Sequence, residues 1–318
     1  MPIRIAHFSD IHITEAPARI PWSALLSKRV VGWANLKFGR RHARLANAAT
    51  VAGALIKDLQ TSELDHLLFT GDVTGLSLRS EFETAEGVLR PLLNDPRATG
   101  IPGNHDVYVR SAVRDRLFDD YIGAWVRTDL QRHEFPEPLR ASYPYPLLRL
   151  IGDEVALVCL NDSRPAAFYD SSGRVGQAQL DALAFVLDQP QLEGRALILA
   201  LHYGLLRADG TPDTLFHRLR DADDVLEVAG RKGVHLIVHG HIHHRFVHPQ
   251  SGTTPAIVDP GALAYKGRDC AYHIYTVDAE SITLDTRRYD SSSNEFGPWP
   301  EAPGNGVLAT ITKGPDPR

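Results

Sequence analysis

Five short apolar runs constrain the fold most: Ile3–Phe8, His66–Thr70, Val155–Leu160, Ala196–Leu201 and Val234–Val238. Runs of this length and character read as buried strands. Stretches of helical period separate them. Leu45, Ala48, Ala49, Ala52, Leu55, Ile56 and Leu59 recur at helical spacing. Ser80 followed by Glu83 reads as a capping box opening a helix to about Leu93, and Gly176–Asp188 and Asp221–Lys232 complete the set. This alternation predicts an α/β architecture with short crossovers.

The last hundred residues differ. Pro255–Asp259, Ala271–Val277 and Ser281–Tyr289 are strand candidates, the last two joined by a polar turn through Asp278, Ala279 and Glu280. Beyond Asp290 the chain is rich in Ser, Pro and Gly and reads as a surface-wrapping, partly disordered tail. The expected organisation is one domain over residues 1–290 with an insert at about 16–46, followed by a tail over 291–318.

Composition bears on partners and compartment. Two cysteines are too few for a disulfide framework or a Cys-based zinc site, and Cys159 reads as a small core residue. No run approaches the ~18 apolar residues of a membrane span, and Met1–Phe8 is strand-like rather than a signal peptide. The expectation is a reduced, cytoplasmic protein. The net charge of −5 hides an asymmetry: Ala16–Lys57 holds eight Lys/Arg and no acid, leaving 26 basic against 39 acidic residues elsewhere. One basic patch on an acidic chain is a weak footprint for nucleic acid.

Polar clusters follow the strand candidates. Asp10-Ile11-His12 follows the first run and Gly71-Asp72 the second; Gly103-Asn104-His105-Asp106 follows a short apolar segment. His202 ends the Ala196 run, and Gly240-His241-Ile242-His243 follows the last. Carboxyl ends of strands line the ligand crevice of open α/β sheets, so the five clusters can converge. In Asp-x-His and His-x-His, side chains at i and i+2 of an extended chain share a side. Imidazole and carboxylate together suit Zn, Mn or Fe. Asp10, His12, Asp72, Asn104, His202, His241 and His243 make seven donors, too many for one tetrahedral zinc but suited to two divalent ions sharing Asp72, which could bridge through its two oxygens. Taken singly, each motif has a plain reading as a turn or a structural histidine. The complete set in this order outweighs those readings.

The ordered series D-x-H, G-D, G-N-H-D, H and G-H-x-H, from Asp10 to His243, resembles the calcineurin-like metallophosphoesterase family, as does Gly173-Arg174-Val175-Gly176 leading to Gln179-Leu180. The resemblance implies an αββα sandwich of two mixed sheets flanked by helices. It implies a first metal on Asp10, His12, Asp72 and His243, and a second on Asp72, Asn104, His202 and His241. It also implies a hydroxide between the ions as in-line nucleophile. His105 would bind a phosphate oxygen or protonate the leaving group, oriented by Asp106.

Departures from the family narrow the substrate. Gly71-Asp72-Val73-Thr74-Gly75 lacks the arginine that Ser/Thr protein phosphatases carry shortly after that Asp, and Asp106 stands where they usually have Glu. His202-Tyr203-Gly204-Leu205 replaces the His-His-Pro common in small bacterial cyclic-nucleotide phosphodiesterases. In the insert, Trp22, Leu25, Leu26, Val30, Trp33 and Leu36 form one stripe on a helical wheel. That predicts an amphipathic helix, read either as a structural cap or as a lid or interfacial helix for a small-molecule or lipid-linked phosphate, with peripheral membrane contact. The insert is similar to those of some bacterial UDP-2,3-diacylglucosamine pyrophosphatases. A non-catalytic binding scaffold would be expected to have lost ligands, and none is missing.

Overall fold

The computed structural model describes residues 1–39 and 41–311; Arg40 of the basic segment and residues 312–318 of the expected tail lie outside the described residues. The first half of the chain runs β1 (Ile3–Phe8), α1 (Arg29–Phe38), α2 (Arg41–Leu45), α3 (Ala48–Thr61), β2 (His66–Phe69), α4 (Arg79–Leu93) and β3 (Ala98–Gly100), then α5 (Arg110–Arg114) and α6 (Leu117–Tyr121). Next come β4 (Leu147–Ile151), β5 (Val155–Cys159), α7 (Gln177–Leu187), β6 (Ala196–Ala200), α8 (Ala222–Arg231) and β7 (Leu236–Val238). The remaining strands are β8 (Phe246–His248), β9 (Ala256–Asp259), β10 (Ala271–Val277), β11 (Ser281–Asp290), β12 (Glu295–Pro298) and β13 (Gly306–Thr310).

Two mixed sheets result. One has the order β12-β11-β10-β1-β2-β3, with β13 also paired to β11; the other has the order β4-β5-β6-β7-β9-β8. β1, β2 and β3 are parallel, as are β5, β6, β7 and β9. Side chains alternate between layers as strand geometry dictates. Ile3 and Ile5 of β1, Val155, Leu157 and Cys159 of β5, and Ala196 and Ile198 of β6 fill the space between the sheets. Ala6 and Phe8 pack outward with the buried faces of α3 and α4, while Ala156, Val158, Leu197 and Leu199 pack outward with α7 and α8. These layers form the expected αββα sandwich, and double-sided burial explains why the five apolar runs look continuous in sequence.

Three local expectations change. The cap of α4 is not Ser80 with Glu83. Buried Glu81 accepts hydrogen bonds from the backbone N–H groups of Leu76 (2.8 Å) and Leu78 (3.1 Å), and so closes the helix start two residues earlier. The insert is not one helix: 3-10 turns at Pro17–Arg19 and Trp22–Leu25 precede α1, and Pro17 and Pro21 lack the N–H groups a continuous helix would use. Its stripe is only partly covered, since Leu36 is buried while Trp22 and Leu26 are 83% and 89% exposed. Finally, the described part of the tail does not simply wrap the surface. β12 and β13 both pair antiparallel with β11, at positions where Pro and Gly delimit strands of only four and five residues.

Candidate metal centre

The motifs meet at the carboxyl ends of β1, β2, β3, β6 and β7. Asp10, His12, Asp72 and His243 each offer a donor atom, all within 4.8 Å of one another. On the other side of Asp72, Asn104 Oδ1 lies 3.0 Å from His202 Nε2 and 2.9 Å from His241 Nδ1. Asp72 Oδ2 stands between the two groups, 3.6 Å from His12 Nε2 and 3.5 Å from His202 Nε2. All seven side chains named from the sequence are therefore brought together, in two groups with Asp72 between them. Asp72 Oδ1 accepts the backbone N–H of His105 at 2.7 Å, whereas Oδ2, which faces both groups, has no hydrogen-bond partner and would be the donor shared by two ions.

An extended D-x-H or H-x-H segment is not what aligns these side chains. Asp10, His12, Asp72, His241 and His243 have φ of 56°, 52°, 64°, 72° and 56°, placing five ligands in the left-handed region. Each such residue costs on the order of 1–3 kcal/mol, which the surrounding structure must hold in place. Gly71, with φ 104°, is required there too, because a Cβ would lie 2.6 Å from both Gly103 N and His202 Nδ1.

The imidazoles are presented by tethering the nitrogen that faces away. His12 Nδ1 donates to Thr74 O (3.2 Å), His202 Nδ1 to Thr70 O (2.7 Å) and His241 Nε2 to His217 O (3.0 Å). A carbonyl only accepts, so the opposite nitrogen of each ring keeps its lone pair for the centre. Burial holds His12, His202 and His241 below the usual histidine range, His202 at about 4, so they stay neutral. Burial would push Asp10 up, but the adjacent His243, with Nε2 3.1 Å from Oδ1, outweighs it and holds the carboxyl below the usual value. Burial followed by the Asp10 and Asp106 carboxylates pushes Asp72 up.

This donor set fits divalent cations. Asp10 Oδ1 and Asp72 Oδ2 are buried with no hydrogen-bond partner, and the Nε2 atoms of His12 and His243 face each other at 2.8 Å. A cation satisfies the unpaired carboxylate oxygens, and both of these ring nitrogens lie close enough together to ligate it. Asp213, His217 and His241 form a second, more exposed donor group. The distal nitrogen of His241 is already committed to the His217 carbonyl there, so we assign it no ion.

Asp106 does not orient His105. Its buried carboxylate accepts the backbone N–H groups of Gly103 (2.9 Å), Asp72 (2.9 Å), Val73 (3.2 Å) and Thr74 (2.9 Å), and the Thr74 hydroxyl (3.1 Å). It thereby ties the Asp72 turn to the Asn104 loop. The His105 ring is instead held by Gly75 O, which accepts from Nδ1 at 2.5 Å, and by Tyr108, stacked at 5.3 Å and 5°. Sequence reasoning missed Asp162, whose carboxylate accepts the backbone N–H groups of His202 (3.2 Å) and Tyr203 (2.8 Å). Its position just past the Val155–Leu160 run carried the same strand-end signal as the ligands. Arg41 and Lys28 were visible only as charge. Both line a cavity of about 610 Å³ over the centre, together with Val31, Asn104, His105, Phe168 and Tyr169.

A sandwich of this kind, with seven nitrogen and oxygen donors at its strand ends, defines a metallophosphoesterase. A family model for the calcineurin-like phosphoesterases matches residues 3–245, and the chain belongs to that family. Among solved structures it is similar to a dimetal phosphatase from Danio rerio, at 12% identity and a TM-score of 0.65, over 98% of this chain and 100% of that one. It is also similar to the purple acid phosphatase PPD1 from seeds of yellow lupin, at 14% identity and a TM-score of 0.57, over 94% of this chain but 53% of that one. At these identities the likeness is one of fold. The search of curated proteins found no match. No helix among the described residues is long and apolar enough to cross a membrane.

Proposed function

We propose that the protein hydrolyses a phosphodiester or pyrophosphate bond in a small or amphiphilic substrate, with two divalent ions of Mn, Fe or Zn. The observation that carries this reading is the 610 Å³ cavity over the ligand set, whose one wall is built by the insert through Lys28, Val31, Asn35 and Arg41. Cations beside apolar and aromatic side chains suit a substrate with phosphate and non-phosphate parts. When bound, the ions supply Lewis acidity toward a phosphoryl oxygen and an activated water. The chain's own part is positional. Asp106 fixes the Asp72 turn, backbone carbonyls fix the ligand rings, and Tyr108 packs flat on His105 beside the reacting centre.

An amphiphilic substrate, with UDP-2,3-diacylglucosamine as the particular candidate, is supported by the exposed apolar residues Val31, Phe168 and Tyr169 that line the cavity, and by Trp22, Leu26 and Phe38, which the insert leaves exposed. Peripheral contact of segment 16–46 with the inner membrane face of the cytoplasm belongs to the same reading. Cyclic-nucleotide hydrolysis is the alternative within the same chemistry. A panel of monoesters, cyclic nucleotides, soluble diesters, nucleotide-sugar pyrophosphates and the lipid nucleotide, assayed with Mn²⁺, tests it. Turnover of a diester or pyrophosphate well above that of monoesters is expected. Monoesters as the only substrates would overturn the proposal, and turnover of soluble diesters without the lipid nucleotide would remove the lipid reading alone.

A further inference from the structure

The turn after Asp72 has no arginine, yet one reaches the site from elsewhere. α2 places a terminal guanidinium nitrogen of Arg41 3.3 Å from His105 Nε2, and Arg41 lines the same cavity as Asp72 and Asn104. The hydrogen-bond roles here follow from chemistry. Gly75 O can only accept, so His105 Nδ1 carries the ring proton. A guanidinium can only donate, so Nε2 offers its lone pair to Arg41. Both nitrogens of His105 are therefore engaged within the chain, and in this tautomer Nε2 has no proton to give a leaving group.

The insert is anchored to keep Arg41 there. Gly32 of α1 sits so close to Leu76 that a Cβ would meet its Cδ2 at 2.2 Å. Arg29 donates to the carbonyls of Leu76 (2.8 Å) and Ser77 (2.6 Å). The buried Lys28 ammonium lies 4.7 Å from the centroid of the Tyr108 ring and donates to Asp170 O at 2.6 Å. A guanidinium has five N–H donors in a planar fork; with one directed at His105, the others meet no acceptor among the described residues and can bind phosphate oxygens.

Resting on the phosphoesterase reading above, we infer that Arg41 is a catalytic residue that grips a second phosphoryl group on the leaving side of the scissile bond, which makes pyrophosphate-linked molecules the preferred substrate class. In this step a P–O bond forms to the water oxygen. The bridging P–O bond breaks with its electron pair on the departing phosphate, and the water protons end on the product phosphates or in solvent. A phosphate, whose second pKa is about 6, departs as an anion that Arg41 stabilises directly.

The test uses the full, Mn²⁺-loaded chain. Arg41→Ala should lower kcat/KM for nucleotide-sugar pyrophosphates about 100-fold, with much smaller loss on bis-p-nitrophenyl phosphate, whose leaving group carries no phosphoryl. Arg41→Lys should recover part of the loss, and added guanidine should rescue Arg41→Ala on the pyrophosphate alone. Arg19→Ala, an exposed change in the same segment, should leave both activities intact. Calorimetry reads binding independently: Arg41→Ala should weaken inorganic pyrophosphate far more than inorganic phosphate. Equal losses on both substrates and both anions, or no loss, would overturn the inference. A wild type active on bis-p-nitrophenyl phosphate but on no pyrophosphate would overturn it while sparing the phosphoesterase reading; a wild type inert toward every phosphoester would overturn that reading instead.

Discussion

Asp72→Ala is expected to abolish stable binding of the ion pair and to lower turnover by roughly three orders of magnitude, about 4 kcal/mol of transition-state stabilisation. The reason is geometric. Asp72 Oδ2 is the one oxygen facing both donor groups, and it has no hydrogen-bond partner of its own. The folding consequence has the opposite sign. Burial and two neighbouring carboxylates make the Asp72 charge costly in metal-free protein, so the metal-free variant should melt no lower than metal-free wild type. Mn²⁺ should then raise the melting temperature of the wild type and leave the variant nearly unmoved. A variant that keeps full turnover, or a normal Mn²⁺-induced rise in melting temperature, would refute the shared-ligand role.

Asp106→Ala should damage folding as well as activity. Four backbone N–H groups and a hydroxyl converge on this one carboxylate. Each donor left buried and unpaired costs about 1–3 kcal/mol, so even with partial relaxation a destabilisation of about 3 kcal/mol or more is expected. Urea unfolding measures it. Asp106→Asn supplies a pH readout. Burial raises the folded Asp106 carboxyl from 3.8 to about 6. Its contribution to stability is therefore fully present below 3.8 and is lost as pH rises through about 6. Metal-free wild type should lose more stability between these values than Asp106→Asn does. A destabilisation below about 1 kcal/mol in Asp106→Ala would mean that these hydrogen bonds are replaced by water.

The layers were legible where burial is two-sided, because β1, β2, β5, β6 and β7 then show as unbroken apolar runs, and the ends of all but β5 carry assigned ligands. They were not legible in β3, β4, β8, β12 and β13, three to five residues each, where tertiary pairing rather than local pattern makes the strand. The stripe in the insert followed a helical wheel from Trp22 to Leu36, but the chain breaks between Leu25 and Arg29 into a 3-10 turn and α1. The ligands could be read from residue type and position. The left-handed backbone that aims them could not, since Asp and His enter that region only under tertiary constraint. Asp106 was misassigned through adjacency: being next to His105 suggested a partner, whereas its carboxylate turns to the chain of the Asp72 turn. Arg41 was invisible as a site residue because what brings it to His105 is the packing of the insert over Leu76 and Tyr108, which no spacing within the segment encodes.

Seven side chains gathered from five strand ends, with Asp72 between the two groups, would hold two divalent ions. Equilibrium binding of Mn²⁺ to the metal-free protein, with the bound ions located by anomalous scattering, tests it directly. Two ions per chain are expected, one beside Asp10, His12 and His243, the other beside Asn104, His202 and His241, with Asp72 touching both. A fully active protein with a single ion, or with a pair lying away from Asp72, would contradict it.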